Sequence, residues 1–184
     1  MEKNLSRTEW REAATGGLYA GLAYALLTIA AHAGRSMPGL VTILNAVSFF
    51  SFAGFLYFYA RRMAAYAGGD GFSYGRSLLF VLKMSLFAGV LAGVGQFVLV
   101  NWIDPEGFRE QFDLMVANMA GGGMGEKEAE MAGSLGLKLM RNPLFAVFSG
   151  IFSMLIYGGL LGLLISIFVV RRPADPFGGG TSAE

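Results

Sequence analysis

The sequence predicts an all-α integral membrane protein: a four-transmembrane-helix bundle with an extracytoplasmic helical hairpin inserted between its third and fourth helices. Three observations predict it. The 184 residues are 54% hydrophobic and only 15% charged, with a mean hydropathy of +0.53, which is too apolar for a soluble domain. The apolar residues fall into four blocks, residues 14–33, 39–60, 78–102 and 143–170, each reaching the ~20 residues that cross ~30 Å of hydrocarbon as helix. Finally, too few polar residues remain to clothe four such helices in a water-soluble core.

The first block ends in "AHAG" at 31–34, a small-x-small pattern like a signal-peptidase site, and Lys3, Arg7 and Arg11 precede it. Its span-length apolar run, and the acids Glu2, Glu9 and Glu12 among those bases, argue for a retained helix. In the second block Asn45, Ser48, Ser51 and Gly54 recur at every third residue. This slowly drifting stripe of small polar groups reads first as a helix contact and second as a pore lining. "FYARRM" is the stop at its end, with Tyr57 and Tyr59 at the interface as Trp10 and Trp102 are elsewhere.

The third block carries Lys83, five residues or about 7.5 Å past Leu78. A lysine at that depth reads as one that snorkels back to the interface, and Lys83→Leu is expected to leave folding near normal. A sharper reading joins Lys83 to Arg76, two turns earlier, and to Arg61 and Arg62 at the end of the second block. Four cations at one interface suit a lipid headgroup phosphate.

Between the third and fourth blocks, residues 103–142 read as the hairpin. "DPEGFREQFDLMVANM" has Asp104 as N-cap and Pro105 at the first helical position, with Phe108, Phe112, Met115 and Met119 on one face, a candidate partner surface. "AGGGMG" breaks the helix, and "EKEAEMAGSLGLKLM" resumes it with acids first, bases last, and Met131, Leu135 and Leu139 at helical spacing. "RNP" ends it and Pro143 opens the fourth block. The whole of residues 1–170 is expected to be one transmembrane domain, and the Pro- and Gly-rich 171–184 a disordered cytoplasmic tail.

Basic residues set the orientation. Lys3, Arg7, Arg11, Arg61, Arg62, Arg76, Arg171 and Arg172 lie on one side, and Arg35, Arg109, Lys127, Lys138 and Arg141 on the other. The larger, span-proximal set places both termini in the cytoplasm.

Little in the sequence carries chemistry. With no Cys and a single His, His32, there is no thiol catalysis, no disulfide and no expected metal site. His32, at the outer end of the first block, is expected to be solvated. All the acids are assigned to tails and connections, so no carboxylate is expected inside a span to couple transport. Ser48, Ser51, Ser149 and Ser153 have no base in their own helices. A serine–lysine pair with Lys83 requires the fold to assemble it. Small-xxx-small pairs are frequent: Gly17 and Gly21, Gly89 and Gly93, Gly158 and Gly162 are candidate packing positions, within the bundle first and between copies second. The net charge of +1 says nothing about nucleic acid, but no basic, aromatic-interleaved surface remains outside the spans to bind it, so none is expected as a partner.

Three stretches carry a family resemblance: "GFSYGRSLLFVLKMSLFAG" at Gly71–Gly89, "RNPLF" at 141–145, and "GLLGLLISIFVVRR" at Gly159–Arg172. With the four spans and the long outer segment, the chain resembles the bacterial membrane proteins grouped as domain of unknown function 4199. The resemblance implies a bacterial inner-membrane location and no catalytic residues or cofactor. Genes of that family are often neighbours of a polyprenyl-phosphate glycosyltransferase, which implies envelope glycan assembly and such an enzyme as the membrane partner. The expected role is therefore a non-catalytic accessory or scaffold subunit binding lipid and partner proteins. The alternative is a small transporter or flippase-like component acting as an oligomer.

Overall fold

The computed structural model describes residues 2–67, 71–123 and 125–170, with side chains from residue 6 onward. Six helices account for nearly all of them: α1 (Glu2–Ala33), α2 (Pro38–Ala67), α3 (Tyr74–Val98), α4 (Pro105–Gly121), α5 (Glu126–Arg141) and α6 (Pro143–Val169). Four stretches are long and apolar enough to cross a membrane: Ser6–Ala33, Pro38–Ala67, Tyr74–Ile103 and Pro143–Val169. The disordered-tail expectation and Arg171 and Arg172 lie outside the described residues.

The first three spans begin or end beyond their apolar blocks, because charged and polar residues end the hydrophobic run without ending the helix. α2 continues through Arg61 and Arg62 to Ala67, since Arg, Met and Ala are good helix formers. Ser73 caps α3, its Oγ accepting from the Arg76 amide at 3.4 Å. Asn142 caps α6, its Oδ1 accepting from Leu144 and Phe145 at 2.9 and 3.3 Å, with Pro143 in the first turn. α3 ends in a π-helical turn, Leu99–Ile103, where the Asp104 amide reaches back to the Leu99 carbonyl at 3.0 Å.

α3 lies between α1 and α6, and α2 packs on α1 and also touches α6 and α3. Matched depths make the order alternate: Gly21 meets Ala88, Ser85 meets Gly158, and Tyr24 meets Phe52. α1 and α3 therefore run one way and α2 and α6 the other. Missing side chains let the helices approach. A methyl group on Gly89 would sit 2.5 Å from the Ile151 Cα, one on Gly93 2.6 Å from the Ala146 carbonyl oxygen, and one on Gly21 2.7 Å from the Ala88 Cα. Gly17 faces Met84 and Phe87, Gly158 faces Ser85, and Gly162 faces Leu78 and Val81. All six candidate glycines thus lie at helix contacts inside the chain.

The tightly packed core, including Leu56, Met63, Phe72, Phe80 and Met84, is in the half of the bundle nearest Glu9. Large apolar side chains cover the outside: Phe50, Phe148 and Phe168 are 70%, 68% and 77% exposed. On a chain this apolar they are the lipid-facing surface.

α4 and α5 pack on each other at the His32 end. Val116 lies over Gly133 and Phe112 over Gly136, so small residues of α5 form the contact. The stripe of Met131, Leu135 and Leu139 faces outward, Met131 being 70% exposed.

Candidate functional site

The site forms where the first turns of α1 meet α3. Two expectations change here. α1 begins at Glu2, so Glu9 and Glu12 are not tail residues: they lie within the span-length helix, 7% and 6% exposed. Three residues apart, they share the helix face that α2 and α3 cover. A buried carboxylate needs partners, and the cations supply them. The Lys83 ammonium donates to Glu9 Oε1 at 2.6 Å, and Arg76 Nε lies 3.5 Å from Glu9 Oε2. Arg62 reaches Glu12 at 3.5 Å.

Aromatic rings complete the cluster. Lys83 lies 4.8 Å from the centroid of the Trp10 ring, and Arg76 and Arg62 lie over Phe72 and Tyr59 at 5.8 and 6.0 Å. Arg62 Nη2 also donates to the Tyr66 hydroxyl at 3.2 Å. Lys83 is therefore held by a carboxylate and a ring rather than snorkelling, and its replacement is no longer expected to be neutral.

The arrangement is unbalanced in charge. Lys83, Arg76 and Arg62 are paired with two carboxylates, and Arg61 beside Arg62 on α2, like Arg7 and Arg11 on α1, is exposed. The inner members are fixed and the outer ones are open. Arg62 keeps 44% of its side chain accessible and Arg76 31%, against 26% for Lys83.

The helix phase holds a signal for the missed acids. Glu9, Glu12, Gly16 and Ala20 step by three or four residues, in register with the buried face of α1.

At the opposite end His32 is not solvated as expected. Its Nε2 donates to Asp104 Oδ2 at 2.7 Å, its ring stacks on Phe108 at 5.3 Å, and only 14% of its side chain is accessible. Arg35 also donates to that carboxylate oxygen, while Oδ1 accepts from the Gly107 amide at 3.1 Å as the N-cap of α4. The His32 hydrogen bond first, with the Gly107 amide and the Arg35 charge, holds the Asp104 carboxyl below its usual range. This ties the hairpin to the end of α1. It also occupies part of the candidate partner face: Phe108 is on His32 and Phe112 on α5, leaving Met115 exposed and Met119 half-buried.

Lys83 donates to Glu9, and among the described residues no hydrogen bond joins it to Ser48, Ser51, Ser149 or Ser153. Other serines of the bundle bond locally or across a helix contact, Ser85 to the Val81 carbonyl at 2.9 Å and Ser166 to Ser77 at 3.0 Å. Among the described residues no group of three or more His, Asp or Glu is placed to hold a metal ion.

Four apolar helices with a lipid-facing exterior and an inward charge cluster define a multi-pass helical membrane protein. The chain belongs to the family described as "Protein of unknown function (DUF4199)", whose model matches residues 15–171. Lys83, Arg76 and Arg62 lie inside the matched residues, and Glu9 and Glu12 precede them. No curated protein and no solved structure matches the chain.

Proposed function

We propose that the protein is a non-catalytic accessory subunit of the bacterial inner membrane, with both termini cytoplasmic, that holds an anionic lipid at the Glu9 end of its bundle. The observation that carries this reading is the charge imbalance of the cluster. Glu9 and Glu12 fix Lys83, Arg76 and Arg62 in place, three cations on two carboxylates, and the exposed Arg61 adjoins Arg62 on α2. Arg61 and the accessible edges of Arg62 and Arg76 are then the contacts for a phosphate, with Lys83 behind them.

The same reading supports a scaffold role. The Met131, Leu135 and Leu139 stripe is an adaptable apolar surface for a membrane partner. A polyprenyl phosphate, and the glycosyltransferase that uses one, are the lipid and partner suggested by the family resemblance.

Native mass spectrometry of the purified protein tests the lipid. Arg61→Gln with Arg76→Gln is expected to lower retained phosphatidylglycerol or polyprenyl phosphate several-fold while helical content is unchanged. Equal retention sinks the reading.

A second reading, transport by an oligomer, is favoured by one observation: Glu9 is a carboxylate inside a span. Glu9→Gln would abolish proton-dependent flux in proteoliposomes on that reading.

A further inference from the structure

The α2 stripe of Asn45, Ser48, Ser51 and Gly54 takes no part in the charge cluster. Phe52 meets Tyr24 of α1 edge-on at 6.3 Å, which turns the Phe52 and Ser48 side of α2 inward while Asn45 and Gly54 stay exposed. Ser48, one turn back, is 5% exposed, and its hydroxyl has no hydrogen-bond partner among the described residues. From Val47 back to Pro38 no residue of α2 is buried. The helix is therefore only loosely covered over this half, with Val41 and Leu44 half-buried, and the packed core does not extend here.

A cavity of about 180 Å³ lies at that end, lined by Tyr24 of α1, Ala92 and Gln96 of α3, Met140 of α5, and Ser149 and Ser153 of α6 among others. None of the lining residues is charged. Unlike Ser77, Ser85 and Ser166, whose hydroxyls are engaged, the Gln96 amide and the Ser149 and Ser153 hydroxyls have no hydrogen-bond partner among the described residues. Free donors and acceptors at membrane depth are costly unless something satisfies them.

The cavity's opening and size narrow what that is. Ser153 is exposed between Phe152 and Ile156, themselves 67% and 50% exposed. The mouth is thus flanked by side chains of the lipid-facing surface, so an occupant enters from the bilayer. The volume suits about six water-sized groups, which is the size of a glycerol unit.

We propose that this cleft binds the uncharged, hydroxyl-bearing headgroup of a neutral lipid of the diacylglycerol type. The hydroxyl reaches Gln96, Ser149 and Ser153, and the acyl chains leave between α2 and α6. An anionic headgroup is disfavoured because no cation lines the walls. This site is independent of the lipid phosphate site at the Glu9 end, and the two take different headgroups.

The test uses the whole protein in phosphatidylcholine nanodiscs doped with diacylglycerol or with triacylglycerol, which has no free hydroxyl. Native mass spectrometry should show wild type retaining the first and not the second. Gln96→Leu, and separately Ser149→Ala with Ser153→Ala, should lower diacylglycerol retention about tenfold. Ser153→Ala alone, at an exposed position, keeps the comparison open if Gln96→Leu fails to fold. Equal retention of the two lipids, retention unaffected by the variants, or a cleft that holds only water overturns the proposal. Phosphatidylglycerol retention, measured on the same samples, reports separately on the Glu9 end.

Discussion

Lys83 and Glu9 define each other. Neither is stable alone at this depth, because an ion out of water costs several kcal/mol unless its partner is in place. Lys83→Leu leaves Glu9 with Arg76 alone, at 3.5 Å. Because that partner remains and Lys83 is partly accessible, the expected loss is about 1–3 kcal/mol. Adding Glu9→Leu should restore most of it, as denaturant unfolding in detergent would measure; a double variant less stable than Lys83→Leu contradicts the pairing. Asp104 gives a second test at this scale. Its carboxyl is held below its ordinary value in the folded state, so the folded protein keeps it charged where the unfolded chain would bind a proton. The stability it contributes is present above about pH 4 and is lost as pH falls through the folded value. Melting temperatures from pH 6 to pH 3 should fall more steeply for wild type than for Asp104→Asn, which still caps α4.

The helix contacts make sharper predictions than the helices themselves. Gly89 and Gly93 meet backbone of α6 within 2.5–2.6 Å of where a methyl would stand, and backbone cannot turn aside as a side chain can. Gly89→Val should cost about 1–3 kcal/mol by forcing α3 and α6 apart. Gly54 has nothing within 4 Å, and Gly54→Ala should be neutral or stabilising by about 0.5–1 kcal/mol. Thermal unfolding of the two variants side by side checks both. At this scale much was legible. The four apolar blocks, the Asp104 and Pro105 start of α4, the break after Gly121 and the small-residue contacts all follow from composition, caps and spacing. The start of α1 was not. "EKNLSRTEWREAA" is polar by average, and only its phase against Gly16 and Ala20 shows that Glu9 and Glu12 face inward, a tertiary fact that hydropathy does not hold.

At the scale of the whole molecule the bundle divides into two unlike halves. Toward Glu9 it is close-packed around Phe80 and Met84 and sealed by ion pairs; toward His32, α2 is loosely covered and a neutral polar cleft lies among α1, α3, α5 and α6. The cation cluster was half legible. Spacing brings Arg76 and Lys83 onto one face, and the short connection brings Arg61 and Arg62 nearby. The carboxylates that organise them come from a helix far away in sequence, and no local pattern pairs Glu9 with Lys83 across 74 positions. The cleft was less legible still: Ser149 and Ser153 were visible in the sequence, but their convergence with Gln96 and Tyr24 depends on packing.

The central claim is that this organised excess of cations holds an anionic lipid. Native mass spectrometry of wild type and the Arg61→Gln, Arg76→Gln variant from the same anionic membrane tests it most directly. The account predicts bound phospholipid on wild type and a several-fold loss on the variant, with helical content unchanged. The same retained lipid on both proteins contradicts it.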